Sequence, residues 1–358
     1  MSCRRHPIQE QIRSMLPSAR PHLAVPVAVD PDGVNGPTKR QAEVSRGWRR
    51  TSRGLYLPTS VDAALPEQRI VEAAMCLPSQ AAGLTGWAAL RWRGATWFGG
   101  RRANGEEVPV TLLVGDHKVR EQPGFVVSEE RRSFANWEIL DGVPVACAAG
   151  AVAFDMRYAP SQREAVVTFE MAAFHDLVSV AELASYLACL NGWTGVRQAR
   201  EALGLLDENS WSPQESRLRL LWMAAGLPSL LSNRPIFDQW GRHIATPDLF
   251  EPQSGLAIEY DGRAHLESAQ RRRDVARAEA MRRAGLEVVV VVEGEQRRPD
   301  ELLDRLQAAL SRARVGAANS RLWTTTPPSW WVPTWTVEQR RQLDFEQRRR
   351  ILGHRQAA

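Results

Sequence analysis

Asp248, Glu259, Asp261 and His265 stand close together in an otherwise apolar stretch of the chain. Thr246-Pro247-Asp248-Leu249 leads to Leu256-Ala257-Ile258-Glu259-Tyr260-Asp261-Gly262, and His265 follows. Residues 256–258 are apolar and read as a buried strand. One Asp closes the apolar strand before it, and Glu259 and Asp261 close this one. A buried strand that ends in two carboxylates needs compensation from a metal or from proton chemistry. Carboxylates on adjacent strand ends can reach one hard cation, and Mg²⁺ commonly binds through one or two of them plus substrate phosphate. Mn²⁺ is the alternative ion. Such a cation lowers the pKa of bound water and screens an attacked phosphate. A histidine titrating near pH ~6.5 suits a general acid or base beside that phosphate. Plainer readings of the same residues stay open. Asp248 after Pro247 could cap a turn, Glu259 could pair with Arg263 or Arg277, and His265 could cap the next helix.

The flanks must position these groups. Ser212-Pro213-Gln214-Glu215 reads as a capping box with Pro at the first helical position. Leu218, Leu221, Trp222 and Ala225 follow at helical spacing, and Gly226 stops the helix. Glu215 shares the stripe of Leu218 and Trp222 and so points inward, although a capping box calls for Glu there anyway. Ile236-Phe237, a turn at 239–241, and His243 to Phe250 read as a hairpin. Leu256 to Asp261 is the third strand. Ser268 to Arg283 is an Arg-rich helix stopped before Gly285. Its Arg271, Arg272 and Arg273 are placed to touch phosphates, and Asp274 with Arg277 forms an i,i+3 pair. Leu286 to Val292 reads as a buried parallel strand. Pro299 to Ala313 is a helix with Leu302, Leu303, Leu306 and Leu310 inward. The order is α-β-β-β-α-β-α.

That order, with Asp248 and Glu259 on neighbouring strands, resembles the PD-(D/E)xK nuclease superfamily. Glu259-Tyr260-Asp261-Gly262 with His265, and Asp274 with Arg277 as D-x-x-R, look like the branch related to very-short-patch-repair endonucleases. The resemblance covers roughly residues 210–312, within a nuclease-like domain taken as 208–314. It implies an α/β (α+β) restriction-endonuclease-like core and Mg²⁺-dependent cleavage of phosphodiester bonds. It implies Asp248, Glu259 and Asp261 as metal ligands, with Glu215 and His265 completing the catalytic set. One feature departs from the family. The lysine expected two residues after the Glu is Asp261 here, and the chain's two lysines, Lys39 and Lys118, lie far upstream. His265 or Arg263 would have to take over part of the lysine's role.

Residues 1–38 are rich in Pro, Asp and Gly and read as a loosely ordered arm with a helix from Pro7 to Leu16. Trp48 to Leu57 fits a strand–turn–strand with Gly54 at the tight position. It carries Arg49, Arg50 and Arg53 and ends in Arg53-Gly54-Leu55-Tyr56. This resembles the winged-helix start of abortive-infection type IV antitoxins (AbiEi-like), where R-G-x-Y closes the wing. The resemblance implies that those arginines touch DNA phosphates. We take 39–105 as winged-helix-like and 106–207 as an α/β and helical connection. In 315–358, Trp323, Trp330, Trp331 and Trp335 with several prolines dock onto the body, and a basic helix ends at Leu352. His117 and His175 are isolated histidines with no catalytic company.

The net charge is +5 and the pI about 9.4, carried almost wholly by arginine. Arginine forks onto phosphate oxygens better than lysine does, although a GC-rich genome also favours it. No apolar run is long enough to span a bilayer, and the N-terminus lacks a secretory apolar core. Cys3, Cys76, Cys147 and Cys189 lack C-x-x-C spacing, which argues against zinc and for reduced thiols in the cytoplasm. The expected partner is DNA, with RNA not excluded and no membrane. A DNA-binding, Mg²⁺-dependent endonuclease is the first reading. A non-cleaving, antitoxin-like DNA-binding regulator that keeps the nuclease fold as scaffold is the second.

Overall fold

The computed structural model describes residues 7–44, 46–78, 82–102, 104–130, 137–262, 268–319 and 321–353, without the side chains of 268–274 and 317–319. The chain is mixed α/β and divides into two compact units. One is Met1–Ala159 with Ala181–Arg200, and the other is Pro160–Val180 with Glu201–Ala358. Of the five expected segments only 106–207 is divided between them; 1–38 and 39–105 fall in the first unit, and 208–314 and 315–358 in the second.

The first unit opens with α1 (Pro7–Ala19), α2 (Lys39–Val44) and the hairpin of β1 (Trp48–Ser52) and β2 (Leu55–Pro58). Then come α3 (Pro66–Ala74), β3 (Gly83–Thr85), α4 (Gly86–Trp92), β4 (Val110–Leu113), β5 (Phe125–Ser128), β6 (Trp137–Leu140), β7 (Val143–Ala146) and α5 (Ala148–Tyr158). The arm expected to be loose is packed. Ile8, Ile12 and Leu16 recur every four residues and are fully buried, so α1 is held by its apolar stripe. The Gln9 and Gln11 side chains also donate to the carbonyls of Met75 and Gly142. The expected β1–β2 hairpin is present, with Gly54 at φ +78°. The five strands of the sheet run β5-β4-β3-β7-β6. The sequence reading missed β3, which is three residues long, and β6. An Asp141-Gly142 turn, with φ of +51° and +86°, joins β6 to β7. Asp-Gly is the usual sequence sign of such a two-residue hairpin turn.

α6 (Gln162–Phe174) belongs to the second unit, while α7 (Val180–Ala188) and α8 (Val196–Ala202) fall mainly in the first. The second unit continues with α9 (Pro213–Ala224), β8 (Leu231–Ser232), β9 (Ile236–Asp238), β10 (His243–Ala245), β11 (Leu249–Glu251), β12 (Leu256–Asp261), α10 (Ser268–Arg283) and β13 (Glu287–Val292). It closes with α11 (Pro299–Asn319), β14 (Trp323–Thr324), α12 (Val337–Arg341) and α13 (Phe345–Ile351). A four-stranded sheet runs β13-β12-β11-β8. In it β12 and β13 are parallel, joined through α10, and β11 is antiparallel to both β12 and β8. One face packs Leu249, Leu256, Ile258, Val289 and Val291 against Leu218 and Trp222 of α9 and Leu302, Leu306 and Leu310 of α11. The other face packs Phe250 and Ala257 against Met281 and Trp323.

The single strand expected from His243 to Phe250 is in fact two. Pro247 interrupts it, having no N–H to give a ladder. β10 pairs with β9 in a separate three-stranded sheet, and β11 pairs in the four-stranded one. The third member of the smaller sheet is β14, so the Trp-rich tail docks as expected, by adding a strand. Trp331 stacks edge-on to Phe237, with ring centroids 5.0 Å apart. The single expected final helix is two, α12 and α13, each begun by a capping box, at Thr336 and at Asp344.

Arg340 of α12 is fully buried, 2.6 Å from Asp176, and donates to the carbonyls of Ala173, Thr334 and Glu208. Removing one partner of a buried pair strands the other charge, at a cost of about 3–5 kcal/mol. Arg340→Ala is therefore expected to lower the thermal midpoint by roughly 6–20 °C, at about 2–4 °C per kcal/mol for a unit of this size. Arg349→Ala, which breaks the exposed pair with Glu346, should move it by no more than about 2 °C. Differential scanning calorimetry of the two variants checks the contrast.

Candidate active site

The β11–β12 ladder pairs Leu249 with Ile258, so Asp248, just before β11, comes to the Glu259 end of β12. Asp248 therefore heads β11 and does not close the strand before it. Its Oδ2 accepts the Tyr260 N–H at 2.6 Å, and its carbonyl accepts the Asn233 N–H at 2.9 Å. The side chain is tied across the ladder to the end of β12, beside Glu259. The turn-capping role falls instead to Glu251, which accepts the N–H groups of Gln253 and Ser254.

Glu215 arrives from the first turn of α9. Its own N–H donates to Ser212 Oγ at 3.2 Å, which completes the helix cap. Its carboxylate turns inward and accepts from the Trp211 N–H at 3.0 Å and from Asn233 Nδ2 at 2.7 Å. Cap and buried acid are thus two parts of one residue, backbone and side chain. Asn233 does the joining. It is buried with φ +48°, in the left-handed region that Asn tolerates better than most residues. From there it binds Glu215 through its side chain and Asp248 through its backbone. Sequence reasoning passed over it, and its only sign is an Asn in a short Ser-Asn connection.

Glu259, 8% exposed, accepts a hydrogen bond from Arg277 Nη2 at 2.8 Å. The plain alternative of an ion pair is therefore realised, with Arg277 reaching over from the middle of α10. Asp261 ends β12, half-buried, and its carbonyl accepts the Glu293 N–H at 3.1 Å. His265 and Arg263 lie outside the described residues, as do the side chains of Arg271, Arg272, Arg273 and Asp274.

Electrostatics separates Glu215 from Asp248. Burial pushes Glu215 up to about 8, and the nearby Asp248 charge pushes the same way. Burial also pushes Asp248 up to about 6, opposed by the Tyr260 amide and by Arg277. Near neutral pH Glu215 keeps its proton and Asp248 carries a charge, a split that suits acid–base or metal chemistry. Among the described residues, no three His, Cys, Asp or Glu side chains gather as a metal cage. Asp248 and Glu259 are the residues that could hold a hard cation here. Asp248 and Glu259 supply two carboxylates at one strand end, and water and phosphate oxygens would complete the shell.

On the first unit, Arg49 is committed elsewhere. Its two terminal nitrogens reach Glu72 of α3 at 2.8 and 2.5 Å, so it braces the hairpin and does not await a phosphate. Arg50 and Arg53 remain exposed. No helix among the described residues is long and apolar enough to cross a membrane.

The chain is similar to two Mycobacterium tuberculosis proteins, "Uncharacterized protein MT2308" and "Uncharacterized protein Rv2248", from two strains. Each is 27% identical over 215 residues, 58% of this chain and 77% of the relative. No protein-family model matches the chain. No solved structure matches it significantly.

Both raised acids hold protons in the folded state that they release when unfolded. The stability they contribute is full below about pH 4 and is lost as pH rises through about 6 for Asp248 and about 8 for Glu215. The metal-free protein is expected to melt several degrees lower at pH 8.5 than at pH 5.5. Glu215→Gln should flatten that slope, because the amide never ionises. Thermal melts in EDTA across this range check it.

Proposed function

We propose that the second unit is a metal-dependent phosphodiesterase acting on DNA, an endonuclease of the kind that the Asp248, Glu259 and Asp261 pattern resembles. The observation that carries this reading is the gathering of buried Glu215 and Glu259 with half-buried Asp248 at one end of the β11–β12 ladder, where Asp248 accepts the N–H of Tyr260, the residue after Glu259, and Asn233 joins Glu215 to Asp248. A fold core gains nothing from gathering acids there, since each must be desolvated. Asp248 and Glu259 would hold Mg²⁺ or Mn²⁺, which when bound supplies charge stabilisation at a phosphate and a more acidic water. Glu215, protonated and fixed by Asn233 and Trp211, limits the local negative charge to what one divalent ion balances. Arg277 stands on Glu259 and supplies a guanidinium beside the position where the resembled family carries its lysine. It is suited to hold a phosphate oxygen bidentately.

A second reading keeps the unit as a non-cleaving DNA-binding scaffold. Asp261 at the lysine position favours it, as does the Arg277–Glu259 pair, which neutralises Glu259 without a metal.

Plasmid nicking in Mg²⁺, Mn²⁺ and EDTA separates the two. Asp248→Asn and Glu259→Gln are expected to abolish metal-dependent nicking while DNA binding persists. Arg277→Ala should cost about 10²–10³ in rate, as for loss of one transition-state charge donor, with partial recovery in Arg277→Lys. Wild-type protein that binds DNA but never nicks it would select the scaffold reading. Because protons compete for the same carboxylates, Mn²⁺ should raise the melting temperature more at pH 8.5 than at pH 6. An equal rise at both would argue against metal at this site.

A further inference from the structure

An open cleft of about 630 Å³ lies on the first unit. It is lined by Arg50, Thr51, Ser52 and Arg53 of the β1–β2 hairpin and by Arg120, Glu121, Gln122 and Pro123 of the segment leading to β5. Two hydrogen bonds hold its walls. The Arg53 N–H donates to Gln122 Oε1 at 2.6 Å, which ties the hairpin tip to the opposite wall. The Glu121 carboxylate accepts the Val127 N–H at 2.9 Å, which anchors that wall to β5. Arg50 Nε is oriented by the Ser52 carbonyl at 3.1 Å.

The charge of this cleft is not internally balanced. Three guanidinium groups face one carboxylate, and no carboxylate among the described residues pairs with Arg50, Arg53 or Arg120. Most arginines described above are spent on partners of their own chain, as Arg49 is on Glu72, Arg157 on Glu130 and Arg340 on Asp176. Arg120 belongs to no motif singled out in the sequence. It lies 67 residues from Arg53 (120 − 53), and only the fold brings it to the hairpin.

We propose that this cleft binds the phosphodiester backbone of a nucleic acid, with Arg50, Arg53 and Arg120 as the phosphate contacts and Gln122 holding the hairpin in place. The cleft has two walls, so phosphate oxygens entering it can be met by guanidinium groups from both the hairpin and the segment before β5. Unbalanced guanidinium groups on a fixed wall give charge-assisted hydrogen bonds without ordering a loop first. The lining holds no aromatic ring, so recognition is of the backbone and carries no base reading. The proposal is independent of cleavage at the acidic site.

The test is fluorescence anisotropy of the full chain with a labelled 20-base-pair DNA duplex, the matching single strand and an RNA duplex, each in EDTA at several salt concentrations. Each arginine that neutralises a phosphate adds about one unit to the slope of log affinity against log salt. The triple replacement of Arg50, Arg53 and Arg120 by Ala is expected to weaken duplex binding at least tenfold and lower the slope by about two to three units. Arg120→Gln, which keeps the stem and the wall packing, should alone lower it by about one. Arg102→Ala, which removes an exposed arginine outside the cleft lining, should leave both unchanged. Similar losses on all three probes would support backbone recognition. Wild-type protein that binds none of the probes, or an Arg120→Gln variant with unaltered affinity and slope, would overturn the proposal. EDTA suppresses cleavage, so this result stands or falls separately from the nicking assay.

Discussion

The second unit is organised around the cost of burying carboxylates at the end of the β11–β12 ladder. An isolated ion there would cost several kcal/mol. The fold offsets this with directed donors: the Tyr260 N–H for Asp248, the Trp211 N–H and Asn233 Nδ2 for Glu215, and Arg277 for Glu259. Each donor comes from a different element, so α9, the β8–β9 connection, β12 and α10 are all fixed by the same few oxygens. What remains unoffset appears as a proton that Glu215 keeps to about pH 8 and Asp248 to about pH 6.

The two faces of the four-stranded sheet do different work. α9 and α11 cover one with leucines and Trp222, giving a conventional apolar core. On the other, the Arg-rich α10 contributes Met281, and Ala284 just beyond its end is also buried. α10 packs against β10 and β13 and brings Arg277 to Glu259. The tail supports the same side from further out, since Trp323 packs against Phe250, with ring centroids 5.1 Å apart.

The arginine content overstates the phosphate-binding capacity of this protein. Arg219 is buried against Glu170, Arg157 against Glu130 and Arg340 against Asp176. Each guanidinium there serves as a rigid multi-donor fastener between segments distant in sequence, a role its planar fork suits better than an ammonium would. Net charge alone cannot separate such fasteners from groups facing solvent. The hairpin makes the point locally: Arg49 and Arg50 are neighbours, yet the alternation of a strand sends one to Glu72 and leaves the other exposed.

The sequence by itself determined the elements with strong local causes. The cap at Ser212-Pro213, the apolar strand 256–261, the valine strand 287–292 and the Gly54 hairpin all stand where spacing and turn chemistry set them, because each depends on neighbours in the chain. The sequence also marked Asp248, Glu259 and Glu215 as the acids to watch. Only the tertiary structure decided how they are used. It split the strand at Pro247 between two sheets, brought Asn233 in to join Glu215 to Asp248, and paired Glu259 with Arg277. It packed α1 into the core, assigned Arg49 to Glu72 and carried Arg120 to the hairpin. Those outcomes depend on contacts across tens of residues and on the loss of water around buried charge, and neither quantity has a local signature in the order of amino acids.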